Sequence, residues 1–118
     1  MQLLQFILLF MFADQPRQVL LFYNTDSKAL MEKQMATLQS DKAGLTEREI
    51  VIKTYSASPN AGSEWKTWKV DSAKSFTFIL VGKDGGEKYR SEKLVLNREL
   101  FGLIDAMPMR RSEVKRKD

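Results

Sequence analysis

A hydroxyl, a carboxylate, a second hydroxyl and an ammonium follow one another at Thr25-Asp26-Ser27-Lys28, directly after Asn24 and the apolar run Leu20–Tyr23. At a strand-to-helix junction such a set could hold a small anion or a peptide, through free backbone N–H groups and the positive end of the helix dipole. The plainer reading is a capped helix start, with Asp26 the best-placed cap. Nucleophilic catalysis lacks its usual parts. The chain contains no cysteine and no histidine, and a serine hydroxyl without a base is a poor nucleophile. Thiol chemistry, disulfides and thiolate metal sites are excluded. The usual general base and the commonest zinc ligand are missing as well. An enzyme built from this chain would have to use carboxylates, hydroxyls, Lys, Tyr or a borrowed cofactor, and no motif asks for a cofactor or a metal.

Arginine supplies the other candidates. In "MPMRR" Arg110 and Arg111 leave a proline-stiffened segment, where two guanidiniums suit a carboxylate, phosphate or sulfate. The alternative is a favourable charge at a helix C-terminus, worth about half a kcal/mol. Arg48 beside Glu47 reads as a weak surface pair, or else as an arginine that anchors a loop or binds a ligand. "GKDGG" at 82–86 resembles a phosphate loop only superficially, because no helix follows it. Asp84-Gly85 is a hairpin turn signal. Trp65 and Trp68, three apart, share a face and read first as packing; they are also the best aromatic contact candidates.

The formal charge of +4 is unevenly spread: "RRSEVKRKD" at 110–118 holds five basic and two acidic residues, leaving a near-neutral body. This reads as a basic, unfolded tag with weak attraction to polyanions. Specific nucleic-acid recognition would need aromatic platforms or a reading helix beside it, and neither is evident. At the other end, "MQLLQFILLFMFA" has the length and apolarity of a signal-peptide core and is too short to span a bilayer. It lacks a basic n-region, and a cut after Ala13 would place Met11 where a small residue is expected. The competing reading is a core or edge strand. A cleaved segment makes the protein secreted or periplasmic.

The elements that must position these groups follow from periodicity. "QVLLFY" (18–23), "EIVIKTY" (49–55) and "SFTFILV" (75–81) are strand-like. A helix from Ser27 through Ala43 carries Met31, Met35 and Leu38 on one stripe, with Gly44 as its C′ residue. "SASPNAGS" (56–63) is a loop, and Ser63 can cap a short helix, "EWKTWK". Lys88–Ser91 returns from the 84–85 turn. Asn97 should cap a final helix with Leu100, Leu103, Ile104 and Met107 inward, and Pro108 should end it. The order β-α-β-α-β-β-α implies a parallel first pair with a right-handed crossover and an antiparallel hairpin. A mixed four-stranded sheet with helices on both faces follows, a three-layer α/β thioredoxin-like fold over residues 17–109.

Four stretches carry a resemblance: "RQVLLFYN" (17–24), "GLTEREIVI" (44–52), "FTFILVGKDGGEKYRSE" (76–92) and "LFGLIDAMPMRRSE" (100–113). They are similar to a peroxiredoxin-like family of unknown function. That family occurs as small secreted bacterial proteins and as repeated domains of vertebrate coiled-coil-domain-containing and sushi-repeat-containing matrix proteins. The resemblance implies a thioredoxin-like fold and no transferable activity. Two departures stand out: "ADQPRQ" lacks the aromatic residues members often carry there, and "SASPNAGSEWKTWK" has no counterpart. In this fold the Asn24–Lys28 corner is where redox members keep their cysteines, and Lys74-Ser75-Phe76 lacks their substrate-clamping proline. The expectation is a non-catalytic binding module whose partner is a protein or a small anionic ligand. The alternatives are an enzyme acting on a small anionic substrate, and polyanion binding through the tail.

Overall fold

The first strand is buried on both faces, as its unbroken apolar run requires. The computed structural model describes residues 15–57, 62–71 and 76–117. In it β1 (Arg17–Tyr23) pairs in parallel with β2 (Ile50–Ser56) and antiparallel with β3 (Phe76–Val81), and β4 (Glu87–Ser91) returns antiparallel to β3. The sheet order is β2-β1-β3-β4. The register sets Arg17 opposite Ile50, and Gln18 opposite both Val51 and Val81. Alternation then sends Val19, Leu21, Phe78 and Leu80 to one face and Leu20, Phe22, Ile79 and Val81 to the other.

On the first face, α1 (Lys28–Gln39), α2 (Lys42–Glu47) and α4 (Asn97–Asp105) contribute Met31, Leu38, Leu45, Leu100 and Ile104. Each fully buried side chain of this size contributes roughly 1.5–3 kcal/mol. On the second face, the short α3 (Glu64–Thr67) places Trp65 edge-on against Phe22, which stacks on Tyr55, with Val70 alongside and Trp68 half-buried. Both tryptophans therefore pack against the sheet. The helices thus cover both faces. The hairpin turns at Gly85, whose φ of +82° is the left-handed conformation glycine tolerates.

Several local expectations change. Asn24, not Asp26, is the cap: its Oδ1 accepts the Ser27 N–H at 3.0 Å, and Ser27 Oγ accepts the Asn24 N–H at 3.0 Å. This reciprocal box closes a 3-10 turn, Thr25–Ser27, that leads into α1. The long helix is two helices, because Asp41 caps a second start by accepting from the Gly44 N–H at 2.9 Å. Gly44 therefore lies inside α2 and is no C′ residue. A Cβ there would sit 2.7 Å from the Phe101 ring, so glycine sets the close approach of α2 to α4.

Asn97 does not cap α4. Its Nδ2 donates to the Thr37 carbonyl at 2.7 Å, tying α1 to α4. Leu103 is 38% exposed and leaves the inward stripe to Leu100 and Ile104, with Met107 half-buried beside them. Pro108 opens a further helix, α5 (Pro108–Lys117), at the first position, where its missing N–H has no cost. The segment expected to be an unfolded tag is thus helical through Lys117. Residues 1–13, 58–61 and 72–75 lie outside the described residues, and with them the signal-peptide reading, part of the 56–63 loop and most of the proline-less loop. Among the described residues no helix is long and apolar enough to cross a membrane.

Candidate functional site

The two ends of β1 carry different chemistry. At its C-terminal end the reciprocal cap occupies Asn24 and Ser27, with Ser27 Oγ also 3.1 Å from Asn24 Oδ1. Ser27 is buried, while Thr25, Asp26 and Lys28 are exposed. The corner presents one carboxylate, one hydroxyl and one ammonium to solvent. The reciprocal cap makes the corner a capped helix start.

At the N-terminal end, roughly 20 Å away along the strand, charges from six segments converge. Arg17, 1% exposed, donates Nη1 to the Arg48 carbonyl at 2.8 Å and both Nη atoms to the Glu113 carboxylate at 3.3 and 3.2 Å. Lys83, just past β3, bonds Glu113 at 2.9 Å and also bonds Glu49. Arg110, 2% exposed, reaches Glu47 Oε1 at 2.9 Å, the Glu47 carbonyl at 3.3 Å and Asp105 at 3.4 Å. Arg48 grips Asp105 in bidentate fashion at 3.0 and 2.9 Å, and lies 4.1 Å over the Phe101 ring. Four cations meet four carboxylates, as buried charge requires.

The ionisation states follow. Burial pushes the Glu113 carboxyl up, but hydrogen bonds from Arg17 and Lys83 outweigh it and hold the group at about 2. Hydrogen bonding from Arg48 lowers Asp105 against its partial burial, and Arg110 adds to the effect. Burial would lower Lys83 and Arg110, yet their carboxylate partners raise both above the ordinary range. Glu113 and Asp105 are thereby held as carboxylates at neutral pH, and Lys83 and Arg110 as cations.

The predicted arginine pair separates. Arg110 turns inward and is held by acids of this chain, while Arg111, about 100° further round α5, is exposed. Arg48 takes the loop-anchoring role: its contact to neighbouring Glu47 is only 3.9 Å, against the bidentate bond to Asp105. Arg17, Lys83, Asp105 and Glu113 were not singled out as site residues in the sequence. One signal was there, an Arg and a Glu three apart at 110 and 113, which share a helix face once the segment is known to be helical. Among the described residues no group of three or more Asp and Glu could hold a metal ion.

Two hollows flank α5. A cleft of about 360 Å³ opens between the hairpin turn, the start of β1 and the α4–α5 break, lined by Arg17, Lys83, Lys88 and Met107–Met109 among others. A shallower groove of about 680 Å³ runs along the outer side, past Arg111, Val114 and Lys115.

A parallel βαβ half joined to an antiparallel hairpin, with helices on both faces of a β2-β1-β3-β4 sheet, is a thioredoxin-like fold. Two similar solved structures agree. One, titled as the structure of a malarial protein, is 20% identical over 77% of this chain and 96% of its own, with a TM-score of 0.59. The other is thioredoxin-2, described as a component of the malaria parasite's protein secretion machinery. It is 20% identical over 78% of this chain and 84% of its own, with a TM-score of 0.58. At that identity the likeness is one of fold. The particular family is given by sequence: residues 8–113 match the domain of unknown function DUF4174, and the chain belongs to that family. No curated protein matches it.

Proposed function

We propose that this domain is an exported, non-redox binding module on a thioredoxin-like scaffold. The observation that carries the reading is the Asn24–Lys28 corner. Where redox members of the fold keep a thiol, this chain has a self-capped turn, and it has no cysteine elsewhere to borrow. The apolar N-terminal segment and the resemblance to small secreted bacterial proteins support export. Purified metal-free protein should neither accelerate dithiothreitol-driven insulin reduction nor consume peroxide, and turnover in either assay overturns the reading. Affinity capture from the native envelope or culture fluid should then return a discrete partner. Arg111→Glu is the control for loss of surface charge, because Arg110 is committed to the interior.

A second reading, polyanion contact, is supported by the outer side of α5. Arg111 and Lys115 are both exposed and stand four apart, with one acid, Asp105, beside them. Deleting residues 112–118 would be a misleading test, since it also removes Glu113 and strands Arg17. The charge-reversed pair Arg111→Glu/Lys115→Glu leaves the network intact. It should elute from heparin at markedly lower salt, and unchanged elution ends this reading.

A further inference from the structure

The cleft of about 360 Å³ is within the size range of small-molecule sites. Met107, Pro108 and Met109 form its apolar wall, and unbranched thioethers adapt readily to an alkyl chain. Across from them stand three cations, Arg17, Lys83 and Lys88, with Asp84 the one acid in the lining. Lys83 is 8% exposed and has two carboxylate partners of unequal standing. Glu113 is nearly buried and is also gripped by Arg17. Glu49 is 56% exposed and holds no second cation among the described residues. Its backbone sits at φ +54°, uncommon for a residue with a side chain, at the junction of α2 and β2. Swinging an exposed carboxylate back into water costs little; removing Glu113 would leave a buried arginine uncompensated.

We propose that this cleft binds a small aliphatic monocarboxylate, whose carboxylate replaces that of Glu49 on Lys83 and whose chain lies against Met107, Pro108 and Met109. Charge selects the class. With Glu49 displaced, the ion-pair partners of the three cations among the described residues are Asp84 and Glu113, an excess of one positive charge, which matches a single carboxylate and not a dianion. The proposal deepens the binding-module reading and rests on it.

Calorimetric titration of the full chain with octanoate, octanol and octyl phosphate tests it. Octanoate should saturate one site. Octanol should bind at least roughly tenfold more weakly, because it cannot replace a charge-assisted bond, and octyl phosphate should also be weaker than octanoate. Glu49→Gln removes the internal competitor and should tighten octanoate by roughly three- to tenfold while leaving octanol unchanged. Lys83→Met should erase the preference for octanoate over octanol. Should that variant fail to fold, Glu49→Gln and Met109→Trp, both at exposed positions, keep the test decisive. Met109→Trp should weaken octanoate and octanol together by crowding the apolar wall. Octanoate that does not bind, binds no better than octanol, binds less well than octyl phosphate, or is not tightened by Glu49→Gln overturns the proposal. Failure here leaves the binding-module reading standing, whereas insulin or peroxide turnover defeats that reading whatever octanoate does.

Discussion

The two ends of β1 solve the same problem, polar groups at the edge of an apolar strand, in opposite ways. At the Tyr23 end the partners are three residues apart, Asn24 and Ser27, and the solution is a local cap. At the Arg17 end the partners are 96 residues apart, Arg17 and Glu113, and the solution needs the whole fold. The end that redox relatives of this fold use for chemistry is the locally finished one. The densest organised charge lies at the other. The fold by itself therefore does not say which end carries a site, because a site consists of side chains and not of topology.

The contrast predicts unequal costs. Glu113→Ala should be the most damaging, about 3–5 kcal/mol by urea unfolding, since it leaves Arg17 and Lys83 facing each other without their shared carboxylate. A cost below that of a helix cap would show that the network is a surface feature. The pH dependence should report the same group. Its folded pKa of about 2 lies below the ordinary value of 4.5, so its stabilisation is complete above the unfolded value and is lost as pH falls through about 2. That difference corresponds to about 3 kcal/mol. Asp105 contributes in the same direction. Glu113→Gln should flatten the acid limb of stability between roughly pH 5 and 2, and an unchanged limb would place acid sensitivity elsewhere.

At the opposite end, Asn24→Ala should cost about 1 kcal/mol, the worth of one cap. A loss comparable to that of Glu113→Ala would mean that the corner too has long-range support. Smallest of all, Arg111→Glu should change stability by less than about 0.5 kcal/mol, as for an exposed charge. A larger loss in thermal melting would show that the outer side of α5 packs against something, and would dissolve the distinction between its two sides.

Much of the scaffold was legible from the residues. Alternation and apolar runs located all four strands to within a residue or so, and Asp84-Gly85 marked its hairpin. The errors share one cause. Ser40-Asp41 looks like ordinary helix surface until Asp41 turns back to cap Gly44. Asn97 looks like a cap until α1 offers it the Thr37 carbonyl. Pro108 looks like a stop, yet proline suits the first position of a helix equally well. In each case the residue type allowed two local readings, and for Asn97 a neighbouring helix chose between them. Gln34 shows the same thing inside the core: its buried amide pairs with both the N–H and the carbonyl of Val95, at 2.8 and 2.9 Å, which no periodicity announces.

The sequence by itself determined what chemistry is absent, since a residue type that does not occur cannot be supplied by folding, and it determined the strands and the turn, since these rest on spacings of two to four residues. Only the tertiary structure decided which charges are paired inside the protein and which stay exposed. Arg110 and Arg111 are adjacent and chemically identical. One is neutralised by Glu47 and Asp105 and the other faces water, because α5 docks with one side against the sheet's end. Ion pairing requires two groups within a few ångströms, and that distance is set by where helices and strands stop in space.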